Sequence, residues 1–323
     1  MKKIDDIEKA CAEMTIVDRA SRLVSNIEKV IIGKNREVIW AISALLADRH
    51  MLIEDVPGIG KTMLAKAIAK SVNAQFKRIQ FTADLLPSDI TGVNIYHQQS
   101  GEFRFRPGPL FTNVLLGDEI NRATPRTQSS LLEAMEENQV SIDGTFYPVP
   151  KPFFVIATQN PIELEGTYPL PFAQLDRFII RLRLGYLGPL EERTMIQEQI
   201  GASPIDTLEP VLDCQELLEL QHAVRQVRIT EELIDYAVAI VQKTRSTPGI
   251  EHGASPRAGL DLVRFSQATA LINRRDYVLP DDIKASAPLV LAHRLIVRKG
   301  TPQTHLDMRH VIESILAEIE VPV

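Results

Sequence analysis

The sequence predicts an α/β fold with a parallel five-stranded sheet, two β-hairpin insertions and a C-terminal all-helical part. Three observations predict it. Short apolar runs bounded by polar or turn residues recur between positions 51 and 184, as buried strands do. A loop with paired glycines followed by Lys-Thr joins the first run to a helical pattern. Beyond Pro189 no strand-like run stands out, and apolar residues fall at helical spacing instead. The core is assigned to residues 1–187, with N-terminal helices included, and the helical part to 188–323.

Residues 51–66 read MLIEDVPGIGKTMLAK. Met51, Leu52 and Ile53 form a strand that ends at Glu54-Asp55. Val56-Pro57-Gly58-Ile59-Gly60 is the turn, and Lys61-Thr62-Met63 opens a helix with Leu64, Ala65, Ile68 and Ala69 inward. A phosphate-binding loop needs that context. Gly58 and Gly60 let successive backbone N–H groups approach one anion, and the helix N-terminus adds partial positive charge. Lys61 is placed to reach the terminal phosphates and the Thr62 hydroxyl to hold Mg²⁺. Residues 57–63 are therefore the expected cradle. The bland alternative is a glycine-rich strand–helix turn with no ligand. Asp55 stands where the G-x-x-x-x-G-K-[ST] pattern has its first glycine, which alters the first turn of the loop but removes no reacting group.

The other elements follow in order. Ile7, Ala10, Met14, Val17, Ala20, Leu23, Val24 and Ile27 predict one or two amphipathic helices over 7–29. Ile31, Ile32 and Gly33 lead to a helix over 36–48. The backbone of Ile32 and Gly33 is open to two readings, contact with a nucleotide base or simple core. Residues 76–81 are a second strand, and 93–96 with 103–106 alternate around a turn as a hairpin. Arg104 and Arg106 share a face there, either solvated or in contact with a partner. Residues 114–119 form a strand ending in Asp118 and Glu119. If it lies beside the phosphate-loop strand, Asp118 is near Mg²⁺ and Glu119 orients a water. A helix over 128–137 follows, then a second hairpin turning at Asp143-Gly144. Residues 153–158 are the fourth strand and 178–184 the fifth. Asn160 stands at the carboxyl end of the fourth, where open α/β sheets bind ligands. In the helical part, Ser255-Pro256-Arg257 is a helix start with Ser at the N-cap and Pro at N1. Further helices are expected over 281–297 and 305–319.

The formal net charge of −6 argues against non-specific nucleic-acid binding. The two cysteines, Cys11 and Cys214, have no metal or redox spacing and fit reduced thiols in a cytoplasmic protein. No apolar run is long enough to span a bilayer, and no signal peptide is expected.

GDEINRATPRTQSSLLEAMEENQVSIDG, FFVIATQNPIELEGTYPLPFAQLDRF, RIQFTADLLPSDITG and GASPRAGLDL together resemble the MoxR family of AAA+ ATPases, over nearly the whole chain. The resemblance implies an AAA+ core and a helical lid, with ATP and Mg²⁺ as cofactors. It makes the hairpins the helix-2 and pre-sensor-1 insertions. Asn160 matches the sensor-1 position, Arg177 the arginine finger and Arg257 the sensor-2 arginine. Arg177 and Arg257 also admit plainer readings, an intrasubunit salt bridge and a solvent-exposed arginine. The resemblance implies a homo-oligomeric ring, usually a hexamer. It also implies chaperone-like remodelling of client proteins, often with a von Willebrand A domain partner and metal insertion. A nucleic-acid motor and a chelatase-type motor subunit are the alternatives. Phe172 departs from the pattern, which has glutamate there; Ala83 replaces a usual proline, and Gly117 precedes the acidic pair.

Overall fold

A computed structural model describes residues 16–162, 166–201, 203–298 and 308–322. Ile7, Ala10, Cys11 and Met14 fall outside these, as does the start of the last expected helix at His305. The chain opens with helices α1 (16–28) and α2 (Asn35–Leu46). Then come β1 (His50–Glu54), α3 (Lys61–Ser71), β2 (Phe76–Gln80), α4 (Pro87–Thr91), and a hairpin of β3 (Gly92–His97) and β4 (Glu102–Pro107). β5 (Val114–Asp118) leads to α5 (Pro125–Glu137) and a second hairpin, β6 (Gln139–Ile142) with β7 (Thr145–Pro148). β8 (Phe154–Gln159), α6 (Phe172–Leu175) and β9 (Phe178–Leu182) complete the first part. The second part comprises α7 (Pro189–Gly201), α8 (Pro204–Thr207), α9 (Cys214–Val224), α10 (Glu231–Ser246), β10 (Ile250–His252), α11 (Pro256–Ile272), α12 (Pro280–Leu291), β11 (Ile296–Val297) and α13 (Met308–Glu318).

The five strands pair in the order β2-β5-β8-β1-β9, all parallel. β9 sits at the edge beside β1. The Asp118 strand does not lie beside the phosphate-loop strand, because β8 pairs with both and separates them. Alternation along each strand feeds two faces. Met51, Ile53, Leu116, Ile156 and Ile180 enter one apolar cluster with α1, α2, α3 and the later helices. Leu52, Leu115, Val155 and Ala157 enter a second with Leu131, Leu132 and Met135 of α5. Burial on both faces is the usual state of a parallel sheet.

Local chemistry explains the element ends. α5 begins at Pro125 rather than at the expected residue 128, since Thr124 is its N-cap and accepts from Thr127 N–H. Asp143 (φ 50°) and Gly144 (φ 79°) both take left-handed backbone, as a two-residue hairpin turn requires. Ser255 caps α11 through Ala258 N–H with Pro256 next, as the sequence predicts. The second part is helical with one addition, the short β10–β11 ribbon. α12 stops at Leu291 instead of continuing to residue 297, and a 3-10 turn, Ala292–Arg294, follows. In α10, Leu233, Ala237 and Val241 are buried, whereas Val238 is exposed.

That 3-10 turn carries one of the contacts that join the two parts. Arg294 is fully buried, and its Nη2 donates to Asp261 Oδ2 at 2.7 Å and to Phe178 O at 2.8 Å. Arg49 Nε donates to the other Asp261 oxygen at 3.1 Å. Removing one partner of such a buried pair typically costs about 3–5 kcal/mol, because the other charge stays buried alone.

His50, at the start of β1, is buried and pins two neighbours. Its Nδ1 accepts from Val155 N–H at 3.1 Å, so Nε2 carries the proton and donates to Met135 O at 3.0 Å. Burial pushes its pKa down to about 4. The folded protein therefore keeps His50 neutral where the unfolded chain, at about 6.5, takes a proton. Its contribution makes stability fall as pH drops from about 6.5 to about 4, by roughly 3 kcal/mol in total, with no effect above that window. Burial also lowers the pKa of His293, which adds to the same acid-side loss. Urea unfolding across this range should show the fall, and His50→Gln should flatten it. An equally steep profile in that variant would disprove the assignment.

Candidate functional site

The carboxyl ends of the strands bring most of the sequence-predicted residues together. Pro57, Gly58, Gly60, Lys61, Thr62 and Met63 line an open cleft of about 380 Å³ opposite Asp118 and Glu119. Gly58 (φ 85°) and Gly60 (φ 94°) hold left-handed backbone that favours glycine. A Cβ at either would meet nothing within 4 Å, so the loop faces open space. α3 starts directly at Lys61, with no side-chain cap and no acidic residue in its first turn. Its N-terminal N–H groups are thus left to an anion. These features fit the phosphates of a nucleotide. The hydroxyl of Thr62 and the carboxylate of Asp118 supply the hard oxygen donors that Mg²⁺ takes.

Asp55 fills its unusual place by making bonds. One carboxylate oxygen accepts from Val56 N–H at 2.9 Å and the other from Gly185 N–H at 2.7 Å. Lys61 Nζ donates to Asp55 O at 2.7 Å. Burial lowers the Lys61 pKa, while Asp118, Asp55 and Glu119 act to raise it.

Thr158, Arg78 and Gln80 belong to this site and were not singled out in the sequence. The Thr158 hydroxyl donates to Asp118 Oδ1 at 2.6 Å and accepts from Glu119 N–H at 2.9 Å. It therefore sets both acids at once. Glu119 has left-handed backbone (φ 58°). Its Oε2 accepts from Gln80 at 2.8 Å and lies 3.0 Å from Arg122 Nε. Arg78 pairs with Asp118 at 2.5 Å. The period-two pattern of FKRIQF, which puts Arg78 and Gln80 on one face, was the available signal. Asn160 is buried just beyond β8, with Oδ1 accepting from Ile162 N–H at 3.1 Å. Ile32 and Gly33 lie in the turn before α2. A Cβ on Gly33 would fall 2.6 Å from Glu191 Cγ, so this turn packs on the first turn of α7.

Arg177 and Arg257 are not in that cleft. They meet at the opposite, amino edge of the sheet, in a pocket lined with His50, Phe153 and Glu136. β1, five residues long, separates the edges by about 16 Å. Arg177 Nε lies 2.8 Å from Glu136 Oε2, and Arg257 Nη2 donates to Glu136 Oε1. Within this chain, Arg177 therefore makes a salt bridge to Glu136. Hydrogen bonding from Arg257 holds the Glu136 carboxyl below the usual range, so it is ionised. Asp176 instead accepts from Ser255 Oγ at 3.0 and 3.2 Å. Phe172, in the place of the expected glutamate, lies 6.5 Å from the His252 ring.

The two hairpins touch. Asn94 Nδ2 donates to Asp143 at 2.7 Å, and the Phe105 and Tyr147 rings stack at 4.0 Å. Tyr96, Phe103 and Phe146 are exposed, and Arg104 and Arg106 are solvated. Among the described residues no cluster of three His, Cys, Asp or Glu forms a metal site, and no helix is long and apolar enough to cross a membrane.

Residues 50–180 match the family described as "ATPase family associated with various cellular activities (AAA)", and 242–317 match the AAA lid domain. The chain is 40% identical to Chaperone MoxR1 of Mycobacterium tuberculosis over 98% of its length and 85% of that protein. It is 49% identical to the uncharacterised YeaC of Bacillus subtilis over 94% of each. It is also similar to a crystal structure assigned as an ATPase from Cytophaga hutchinsonii, with a TM-score of 0.91, 35% identity and full coverage of both chains.

Thr158→Val removes the hydroxyl that satisfies Glu119 N–H and Asp118, at nearly constant volume. It should cost about 1–3 kcal/mol in urea unfolding, and Thr158→Ser should restore most of that. Equal midpoints for wild type and the valine variant would contradict the assignment.

Proposed function

Because the chain belongs to the MoxR family of AAA+ ATPases, we propose that it hydrolyses ATP with Mg²⁺ to remodel client proteins, working as a ring of identical copies. The observation that carries the reading is the uncapped, glycine-led start of α3 facing Asp118 and Glu119 across one cleft. Loop N–H groups and Lys61 bind the phosphates. Thr62 and Asp118 would hold Mg²⁺, which would neutralise charge on the terminal phosphates. Arg78 balances the Asp118 charge at 2.5 Å. Glu119 orients the attacking water and accepts its proton, with Gln80 and Arg122 fixing its carboxylate. Asn160, at the same edge, accepts a hydrogen bond from the water or donates one from its amide nitrogen to the γ-phosphate.

The arginines at the far edge lie too distant to serve this cleft. We assign them to the cleft of an adjacent copy, where a planar guanidinium clamps phosphate charge as it develops. A ring follows from that assignment, and six is the number usual in the family. The joined hairpins, with exposed Tyr96, Phe103 and Phe146, offer the client surface. A von Willebrand A domain protein is the partner class the family implies, and metal insertion is one outcome of such remodelling. A nucleic-acid motor is not favoured, since Arg104 stands 3.8 Å from Glu102 and the chain carries a formal charge of −6.

Two measurements test this. Glu119→Gln should bind ATP normally and hydrolyse it about 10²–10⁴-fold more slowly; near-wild-type turnover would assign the water to another residue. Arg177→Ala should lose roughly 10³–10⁵ in rate, and Lys61→Ala should lose nucleotide affinity. Mixed, the two variants should recover part of the activity, because one supplies the loop and the other the finger. No recovery in rings shown to contain both would refute action between copies.

A further inference from the structure

α5 runs from the turn after Glu119 to the arginine pair. It has 13 residues and so spans about 20 Å. Its base is fixed: Gln128, buried, donates to Ile120 O and Ala123 O at 3.1 Å and to Tyr168 O at 2.9 Å. Its far end is fixed too, since His50 Nε2 holds Met135 O at 3.0 Å. Glu136 is the next residue. An acidic side chain in the last turn of a helix opposes the helix dipole, and α5 has no basic residue there to offset it. The offset comes from outside, one guanidinium on each carboxylate oxygen.

The two arginines belong to segments already tied together. Arg177 follows Asp176, whose carboxylate accepts from Ser255 Oγ and lies 3.5 Å from Arg294 Nε. Arg257 sits two positions after Ser255. Those bonds fix the backbones, but both arginine side chains are long and partly exposed. A carboxylate on an anchored helix end is what holds their heads at one spacing. The Arg177 contact uses Nε, one of five donors on the guanidinium.

We propose that Glu136 is a positioning residue for catalysis between copies, holding Arg177 and Arg257 in the arrangement that meets the neighbouring copy's γ-phosphate. The inference rests on the proposed action of Arg177 on an adjacent copy. Glu136 touches no reacting atom and acts only through the arginines. Glu136→Gln keeps its shape but turns one oxygen, an acceptor, into an amide donor facing a guanidinium.

The test is ATP hydrolysis by full-length Glu136→Gln, Glu136→Asp, Arg177→Ala and the Glu136→Gln/Arg177→Ala double variant, with ATP-analogue affinity and assembly mass measured alongside. Glu136→Gln should bind nucleotide and assemble like wild type, yet lose about 10²-fold in kcat, the usual consequence of a misplacement near 1 Å. Glu136→Asp, which keeps the charge, should fall between. In the Arg177→Ala background Glu136→Gln should cost clearly less than it does alone, because one of the two arginines it positions is gone. An unchanged kcat in Glu136→Gln, beside a large loss in Arg177→Ala, overturns the Glu136 assignment alone. Equal losses from Glu136→Gln in both backgrounds overturn it as well, since that is a structural effect. Full activity in Arg177→Ala overturns the action between copies and the role of Glu136 with it.

Discussion

Backbone hydrogen bonds among strands that all run the same way fix a polarity on which the rest of the structure depends. Every carboxyl end lies on one edge, so the loop after β1, the acids after β5 and Asn160 after β8 converge. Every amino end lies on the other, where His50, Phe153 and Arg177 meet. An antiparallel sheet would have scattered these groups over both edges. With β8 between β1 and β5, the Thr158 hydroxyl comes within reach of both acids.

The amino edge is built as firmly as the cleft. Arg294, Asp261 and Arg49 form a buried charged cluster there, anchored to Phe178 O at the start of β9. An apolar cluster of the same volume often stabilises as well as buried ions do. What the ions add is a fixed direction for each partner. Asp176 and Ser255 extend that order to the segments bearing Arg177 and Arg257. The residues that flank the arginine pair are thus among those through which the lid meets the core, and in the proposed ring its placement is coupled to theirs.

Most of the frame was legible from residues 51 to 184. Strand runs buried on both faces, the glycine loop, Asp143-Gly144 and Ser255-Pro256 are local signals, and each names its own geometry. α7 left no such signal, since none of its residues is buried and its apolar positions form no stripe. The β10–β11 ribbon was too short to show period-two alternation. α12 ends early because burial of Arg294 against Asp261, not helix propensity, decides the path after Leu291.

The sequence by itself determined the glycine-led loop before α3, the acidic strand end, the fold class and the family, because those depend on residues near one another in the chain. Tertiary structure alone decided strand order, the service of two acids by Thr158, and the bonds that seat Asp55 where a glycine was expected. It also decided that Arg177 and Arg257 share Glu136, at the edge away from Lys61. Glu136 is 41 positions from Arg177 and 121 from Arg257. Pairings at such separations are set by how helices and strands pack, and no local pattern along the chain encodes them.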